Sequence, residues 1–251
     1  MSVALARPGV ALVVLCVVMV AAAAVVYRVT AIGRPIAAPA AALRGAAQLA
    51  VASAVLVAAL SQVWSSLVVL AVMFVAAGTT VFRRADAGRS GFLLALALIA
   101  GTGIVVPMML ISGVVPVAGV ALVPAGGIIL GGSMSATSLS ARRALTALCE
   151  RHGEVEAALS LGMSERDSRL EVIRESAGDA LLPGLDQTRT VGLVTLPGAF
   201  VGVLLASGSA VQAGDAVQIL VLSGLLLAQT CSVATAVELI ARGFVQREPK
   251  A

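Results

Sequence analysis

Lysine and histidine each occur once in this 251-residue chain, as Lys250 and His152. A phosphate-cradling loop needs Gly-Lys-Ser/Thr, and Lys250 is followed by Ala251, so the chain has no Walker A sequence of its own. Aromatic residues make up only 3%, too few for the stacking platforms of single-strand nucleic-acid binders. Charged residues fall to 12%, about half the usual share, which excludes an ordinary soluble domain. The three cysteines do not form a CxxC pair: Cys16 and Cys231 lie in apolar runs and Cys149 in a charged segment. They read as small buried hydrophobes rather than a disulfide framework or zinc site. Lipid phosphatases and prenyl transferases need clustered acidic or histidine residues, and serine chemistry needs a base. The apolar runs supply neither, so an intramembrane enzyme is the weakest reading.

What the chain has instead is oil. Residues of the AVILMFWYC set reach 59%, and the charges cluster so that runs of about twenty residues are left nearly bare, the length that crosses a ~30 Å hydrocarbon core. Outer-membrane barrels would show ~10-residue alternating segments, whereas these runs are continuous Ala, Val, Leu and Gly. The expected fold is all-α: a polytopic membrane protein of about seven transmembrane helices, at 8–27, 43–62, 64–82, 92–111, 118–139, 190–207 and 216–241. Residues 1–139 carry the first five spans, 140–189 form a helical loop, 190–241 carry the last two, and 242–251 form a tail, all in one domain. The short link from Ser61 to Trp64 forces an antiparallel hairpin, with Trp64 at the interface. The first run exceeds a signal-peptide core and is kept as a helix; six spans after a cleaved first segment fit the same charges.

Arginine sets the orientation. With the amino terminus outside, sixteen of the seventeen basic residues fall in cytoplasmic segments and only Arg7 lies outside. The positive-inside rule therefore gives a multi-pass protein of the cell inner (plasma) membrane, N-terminus out and C-terminus cytoplasmic. Its loop from 140 to 189 holds seven Arg and nine acidic residues, more than half of all charges. One helix runs to Leu161 and stops at Gly162. A second starts after Ser164, with Asp167 completing a capping-box-like pair. Leu170, Ile173, Ala177 and Leu181 share a face of that second helix, and Glu165–Arg169 and Glu171–Arg174 are helix-spaced ion pairs. Two roles suit such a loop: amphipathic helices resting on the membrane surface, or a rigid docking element for a cytosolic partner.

Inside the spans polar groups are few. Glu238 is the one acidic residue, a turn from the inner end, where Arg242 pairs with it at i+4. Gln48, Gln218 and Gln229 face a path or bond across helices. Gly127-x-x-x-Gly131 and Gly198-x-x-x-Gly202 are small-residue packing patterns. Pro197-Gly198 within the sixth span predicts a kink or break, which makes Thr190 to Gly198 either a gate or a simple kink. Met108 and Met109 beside Pro107 are core filler or soft metal ligands.

Glu156-Ala157-Ala158, three residues and then Gly162 resemble the EAA-x-x-x-G signature of ABC-transporter membrane subunits, although Leu182-Pro183 follow the glycine later than that signature's Ile-x-Leu-Pro. A wider resemblance, from about residue 40 to 240, is to the FetB family of ABC permeases. It is carried by Leu43-Arg-Gly-Ala-Ala-Gln48-Leu49, Val123-Pro124-Ala-Gly126-Gly127, Ser160-Leu-Gly162, Ile173-Arg-Glu-Ser176, Leu182-Pro183 and Thr190-Val-Gly192-Leu-Val-Thr195-Leu-Pro197-Gly198. That family includes bacterial permeases linked to iron export and plant relatives involved in aluminium tolerance. The resemblance implies a permease that exports iron or another metal. Glu156, Ala157, Ala158 and Gly162 would couple it to a separate ABC ATP-binding subunit, which holds the ATP and Mg; this chain itself would bind no cofactor and no nucleic acid. Gln48, Pro124, Gly126, Thr190, Gly192, Thr195, Pro197 and Gly198 are the expected lining or gate of the path. Seven spans are few for a whole pathway, which implies a homodimer among membrane lipids. The runner-up is a secondary carrier that needs no partner.

Overall fold

The computed structural model describes residues 9–59, 63–113, 119–198, 200–201, 204 and 218–247. Among these residues the protein is all helical, apart from one isolated bridge between Val191 and Thr195. Among the described residues five helices are long and apolar enough to cross a membrane. The chain divides into two units, Met1–Ala59 and Leu60–Ala251.

The first unit is a pair of helices, α1 (Val10–Thr30) and α2 (Ala37–Ala59). No residue of α1 is buried, and apolar side chains such as Val14, Leu15, Val18 and Val25 stand exposed around its circumference. A helix apolar on every side has no preferred wet face, as befits one bathed in lipid. Gln48, expected on the path, is an exposed residue of α2 in this unit.

The second unit is organised around α5 (Gly119–Glu150), a helix of 32 residues. It packs against α3 (Val63–Arg84), α4 (Leu94–Ile111) and α9 (Ile219–Ala241). Between membrane helices the hydrophobic effect offers no drive, so close packing of small residues must supply it. A side chain at Gly126 would strike Leu70 of α3, and one at Gly132 would strike Leu225 and Gln229 of α9. The expected Gly127/Gly131 pair is not the contact: Gly127 meets Met73, but nothing lies near Gly131. Small residues occupy several sides of α5, and its rotation, which spacing alone does not fix, decides which of them are used. Gly101 of α4 lies directly against the Ala228 backbone and Ser232 of α9.

Two boundaries differ from expectation. The fifth span, read as ending at residue 139, continues without a break to Glu150, because Ala, Leu and Arg beyond it are all good helix formers. Arg142 and Arg143 mark a change of surroundings, not a helix end. The sixth span, read as 190–207, is not helical where it begins. Thr190 ends α8 (Leu182–Thr190), and residues 191–197 form a turn. Most of the remainder lies outside the described residues. At one end of the bundle α6 (His152–Ser160) and α7 (Glu165–Gly178) complete the unit. Ile173 and Ala177 of α7 are fully buried against the core that Ala141, Leu145 and Ile240 share.

Candidate functional site

The element with the most definite local geometry is the hairpin of α6 and α7. Gly162 ends α6 at φ +88, the left-handed conformation that glycine alone adopts without strain. Its amide donates to the Leu159 carbonyl at 2.9 Å, and the Met163 amide donates to the Ala158 carbonyl at 3.2 Å, which closes α6 in a Schellman turn. Two residues later Ser164 caps α7: its Oγ accepts from the Asp167 amide at 3.1 Å and donates to Asp167 Oδ2 at 2.7 Å. Both boundaries fall where the sequence placed them, because each is set by one local residue. The Ser164 hydroxyl, with Arg166 beside it, holds the Asp167 carboxyl below its ordinary value. The charged cap therefore contributes above the usual carboxylate range and is lost as pH falls through that depressed value. Ser164→Ala should weaken α7 by about 1 kcal/mol, and hydrogen exchange over its first turn should speed up in the variant at neutral pH and in the wild type only in acid.

Around this turn the side chains point outward. Glu156 and Ala157 are exposed and Ala158 is half-buried; Glu156 lies 3.4 Å from His152 Nδ1, an ion pair when that imidazole is protonated. Leu161 is 85% exposed and is flanked by exposed Leu159 and Met163. An apolar tip, with Glu165 exposed at the start of α7 and Glu156 exposed on α6, is thus held on a two-helix knob. Beneath it a cleft of about 480 Å³ is lined by Leu145, Leu148, Val155, Ile240 and Val245 together with Glu156, Glu165, Arg169 and Arg247.

The hairpin is tied to the bundle by ion pairs that span long stretches of sequence. Arg151 donates to the Val172 carbonyl at 3.0 Å and pairs with Glu154, and Arg143 pairs with Asp179 at 3.0 Å. Arg166 in the first turn of α7 grips Glu238 of α9 with two hydrogen bonds, Nε to Oε1 at 2.8 Å and Nη2 to Oε2 at 2.7 Å. Glu238 also takes the expected bond from Arg242 Nε, at 2.6 Å. The Arg166 contact, across 72 residues, has no signal in a single sequence.

The other expected residues scatter. Pro124 is exposed on α5, whereas Gly126 is buried against α3 and serves packing. From Thr190 to Thr195 the chain forms a tight turn: the Thr190 carbonyl accepts from Val194 at 2.9 Å and from Leu193 and Thr195 at 3.2 Å. Gly192 makes this possible at φ +82. Gly192, Thr195 and Gly198 are exposed, Thr190 and Pro197 half-buried. Pro197 does not interrupt a helix. Its carbonyl accepts from the Val201 amide at 3.2 Å, so it stands at a helix start, where proline's missing donor matters least. Met109 is buried with Val105 and Ile129 while Met108 is exposed, so the two thioethers do not converge. Among the described residues no group of three or more His, Cys, Asp or Glu side chains is placed to hold a metal ion.

Gln229 lies between helices at the centre of the bundle. It is 6% exposed, its Oε1 has no hydrogen-bond partner among the described residues, and its amide is wedged against Gly132 of α5 and Gly184 of α8. The Gln229 side chain therefore joins the end of α8 to the centre of the bundle, with Thr190 six residues beyond Gly184.

A model of the family described as "Uncharacterised protein family (UPF0014)" matches residues 10–245. The chain is 30% identical over 172 residues to "UPF0014 membrane protein STAR2" of Oryza sativa subsp. japonica, covering 68% of this chain and 60% of that protein. It is 30% identical over 191 residues to "Protein ALUMINUM SENSITIVE 3" of Arabidopsis thaliana, covering 75% and 70%. Against "Probable iron export permease protein FetB" of Escherichia coli (strain K12) the identity is 29% over 140 residues, covering 56% and 53%. The chain thus spans rather more than half the length of these relatives. No solved structure matches.

Proposed function

The chain belongs to the UPF0014 family, and from that premise we propose that it is the membrane-spanning permease subunit of an ABC transporter that exports a metal ion, iron foremost. A separate ATP-binding subunit drives it. The observation that carries this reading is the α6–Gly162–α7 knob, with Leu161 85% exposed at its tip and its base built into the cores of α5 and α9. Exposed apolar residues on a rigid, charged element are the mark of a protein contact. The absence of a Gly-Lys-Ser/Thr loop in this chain means that any ATP chemistry belongs to the partner. The metal is suggested by the names of the Escherichia coli and Arabidopsis relatives. In this chain its passage would rely on oxygen donors in transient contact.

In this reading the knob faces the cytoplasm, the spans number seven, and two copies of the chain form the path together. A secondary carrier would use a titratable group inside the membrane, but Glu238 is engaged by two arginines, which favours the ATP-driven reading. Co-purification settles the partner: an ATP-binding subunit with a Walker A loop should be retained, and the reconstituted pair should move iron only with ATP. Glu156→Lys should leave the spans folded and lower ATP-coupled flux at least about tenfold, about 1.4 kcal/mol of coupling. Native mass measurement should find two permease chains per complex. Transport by the purified chain alone in liposomes would refute the proposal.

A further inference from the structure

We infer that Arg166 and Glu238 form a releasable latch, a pair of positioning residues through which movement of the α6–α7 knob reaches α9; the inference rests on the proposed coupling of that knob to an ATP-binding subunit. The geometry is that of a four-member chain of charges. Arg166 Nη1 lies 2.7 Å from Asp167 Oδ1, Arg166 meets Glu238 with both oxygens at 2.7 and 2.8 Å, and Glu238 receives Arg242 at 2.6 Å. Each of the two central members therefore has a second partner on its own helix.

That redundancy decides what the contact can do. Breaking an ion pair is penalised to the extent that it strands a charge away from water, and Arg166 and Glu238 are partly exposed, at 42% and 33%. Here separation of α7 from α9 strands nothing: Arg166 keeps Asp167 and Glu238 keeps Arg242. The bidentate fork gives the closed form a defined geometry, while the spare partners stabilise the open form. A purely structural tie needs no such provision. Position adds to the case. Arg166 is in the first turn of α7, four residues after the left-handed Gly162 turn, and Glu238 sits near the end of α9. By contrast α6 rests mostly on α7 and little on the spans, so displacement of the knob must pass through α7.

The test uses the complex of this chain with its ATP-binding subunit in liposomes, in a background with Cys16, Cys149 and Cys231 replaced by serine. Arg166→Gln and Glu238→Gln should retain the ATP-binding subunit and hydrolyse ATP, yet move at least about fivefold less iron per ATP. Arg166→Cys with Glu238→Cys, bridged by a bifunctional methanethiosulfonate, should stop transport and recover it on reduction. Retention of the subunit reports that each variant is folded, and the ratio of iron moved to ATP hydrolysed is a readout that a merely structural tie would not change. Unaltered coupling in both glutamine variants, or full transport in the bridged form, would overturn the latch alone. If the unaltered chain retains no ATP-binding subunit, the reading of the knob fails and the latch with it.

Discussion

Alanine at position 101 should destabilise the α4–α9 contact by about 1–3 kcal/mol, the usual penalty of overpacking a tight interface. A Cβ there would collide with the Ala228 carbonyl and the Ser232 hydroxyl of α9. The second obstacle is a side chain that can turn away; the first is backbone and cannot. Ser232→Ala in the same chain should therefore restore little of the loss. Gly103→Ala is the control, since its Cβ would meet only Ile99 of its own helix at an ordinary 3.6 Å. That change should be neutral or slightly favourable, because alanine forms helix better than glycine. Thermal unfolding in detergent micelles, followed for the three variants, measures all of this. Equal midpoints for Gly101→Ala and the wild type would mean that α4 and α9 do not approach so closely.

Gly162→Pro is expected to have the largest effect on function. Proline holds φ near −65°, whereas position 162 lies at +88. The substitution also removes the amide that donates to the Leu159 carbonyl, and it disfavours the α-like backbone of Leu161. The turn should open, at about 3 kcal/mol or more, and α6 should lose its fixed relation to α7. Hydrogen exchange should rise across residues 152–178 and stay unchanged in α3, α5 and α9, and ATP-coupled transport should disappear. Gly162→Ala, which pays only the left-handed penalty of about 1–2 kcal/mol, should be intermediate. Gly153→Ala, at an open position inside α6, should be silent. Wild-type transport in Gly162→Pro would remove the knob from the mechanism.

The features legible in the sequence are those fixed by near neighbours along the chain. Apolar runs gave the long helices to within a few residues for α1, α3, α4 and α9, because lipid imposes length and composition on each one separately. Gly162, Ser164 and Asp167 gave the knob, because turn and cap are properties of three or four adjacent residues. Where the reading depended on position around a helix it failed: Gly131 was expected to pack, while Gly126 and Gly132 do so. Charge told where the apolar run ends but not where the helix ends, since Arg142 and Arg143 interrupt the run but not α5. Pro197 signals a kink or break within an apolar run; the structure has a break, with the turn at Thr190–Thr195 before it and a helix start at Pro197. The bond from Arg166 to Glu238 and the wedging of Gln229 between Gly132 and Gly184 are matters of three-dimensional closure. Glu238 could be singled out as the lone acid of a span, but its second arginine could not.

The unbroken run of α5 has a mechanical meaning. Eleven residues beyond the expected end of the fifth span, at 1.5 Å each, carry the rod about 16 Å past that point, to where α7 packs on it through Ile173 and Ala177. A stiff beam pivoted at the bilayer edge, with a short arm outside and an arm of about 30 Å within, multiplies displacement. A sideways push of about 3 Å at the outer end would swing Pro124, about 22 Å inside, by about 4 Å. Such a rod would need a fulcrum rather than a hinge, and Arg142 and Arg143, just beyond the end of the apolar run, are suited to finding one on lipid phosphates.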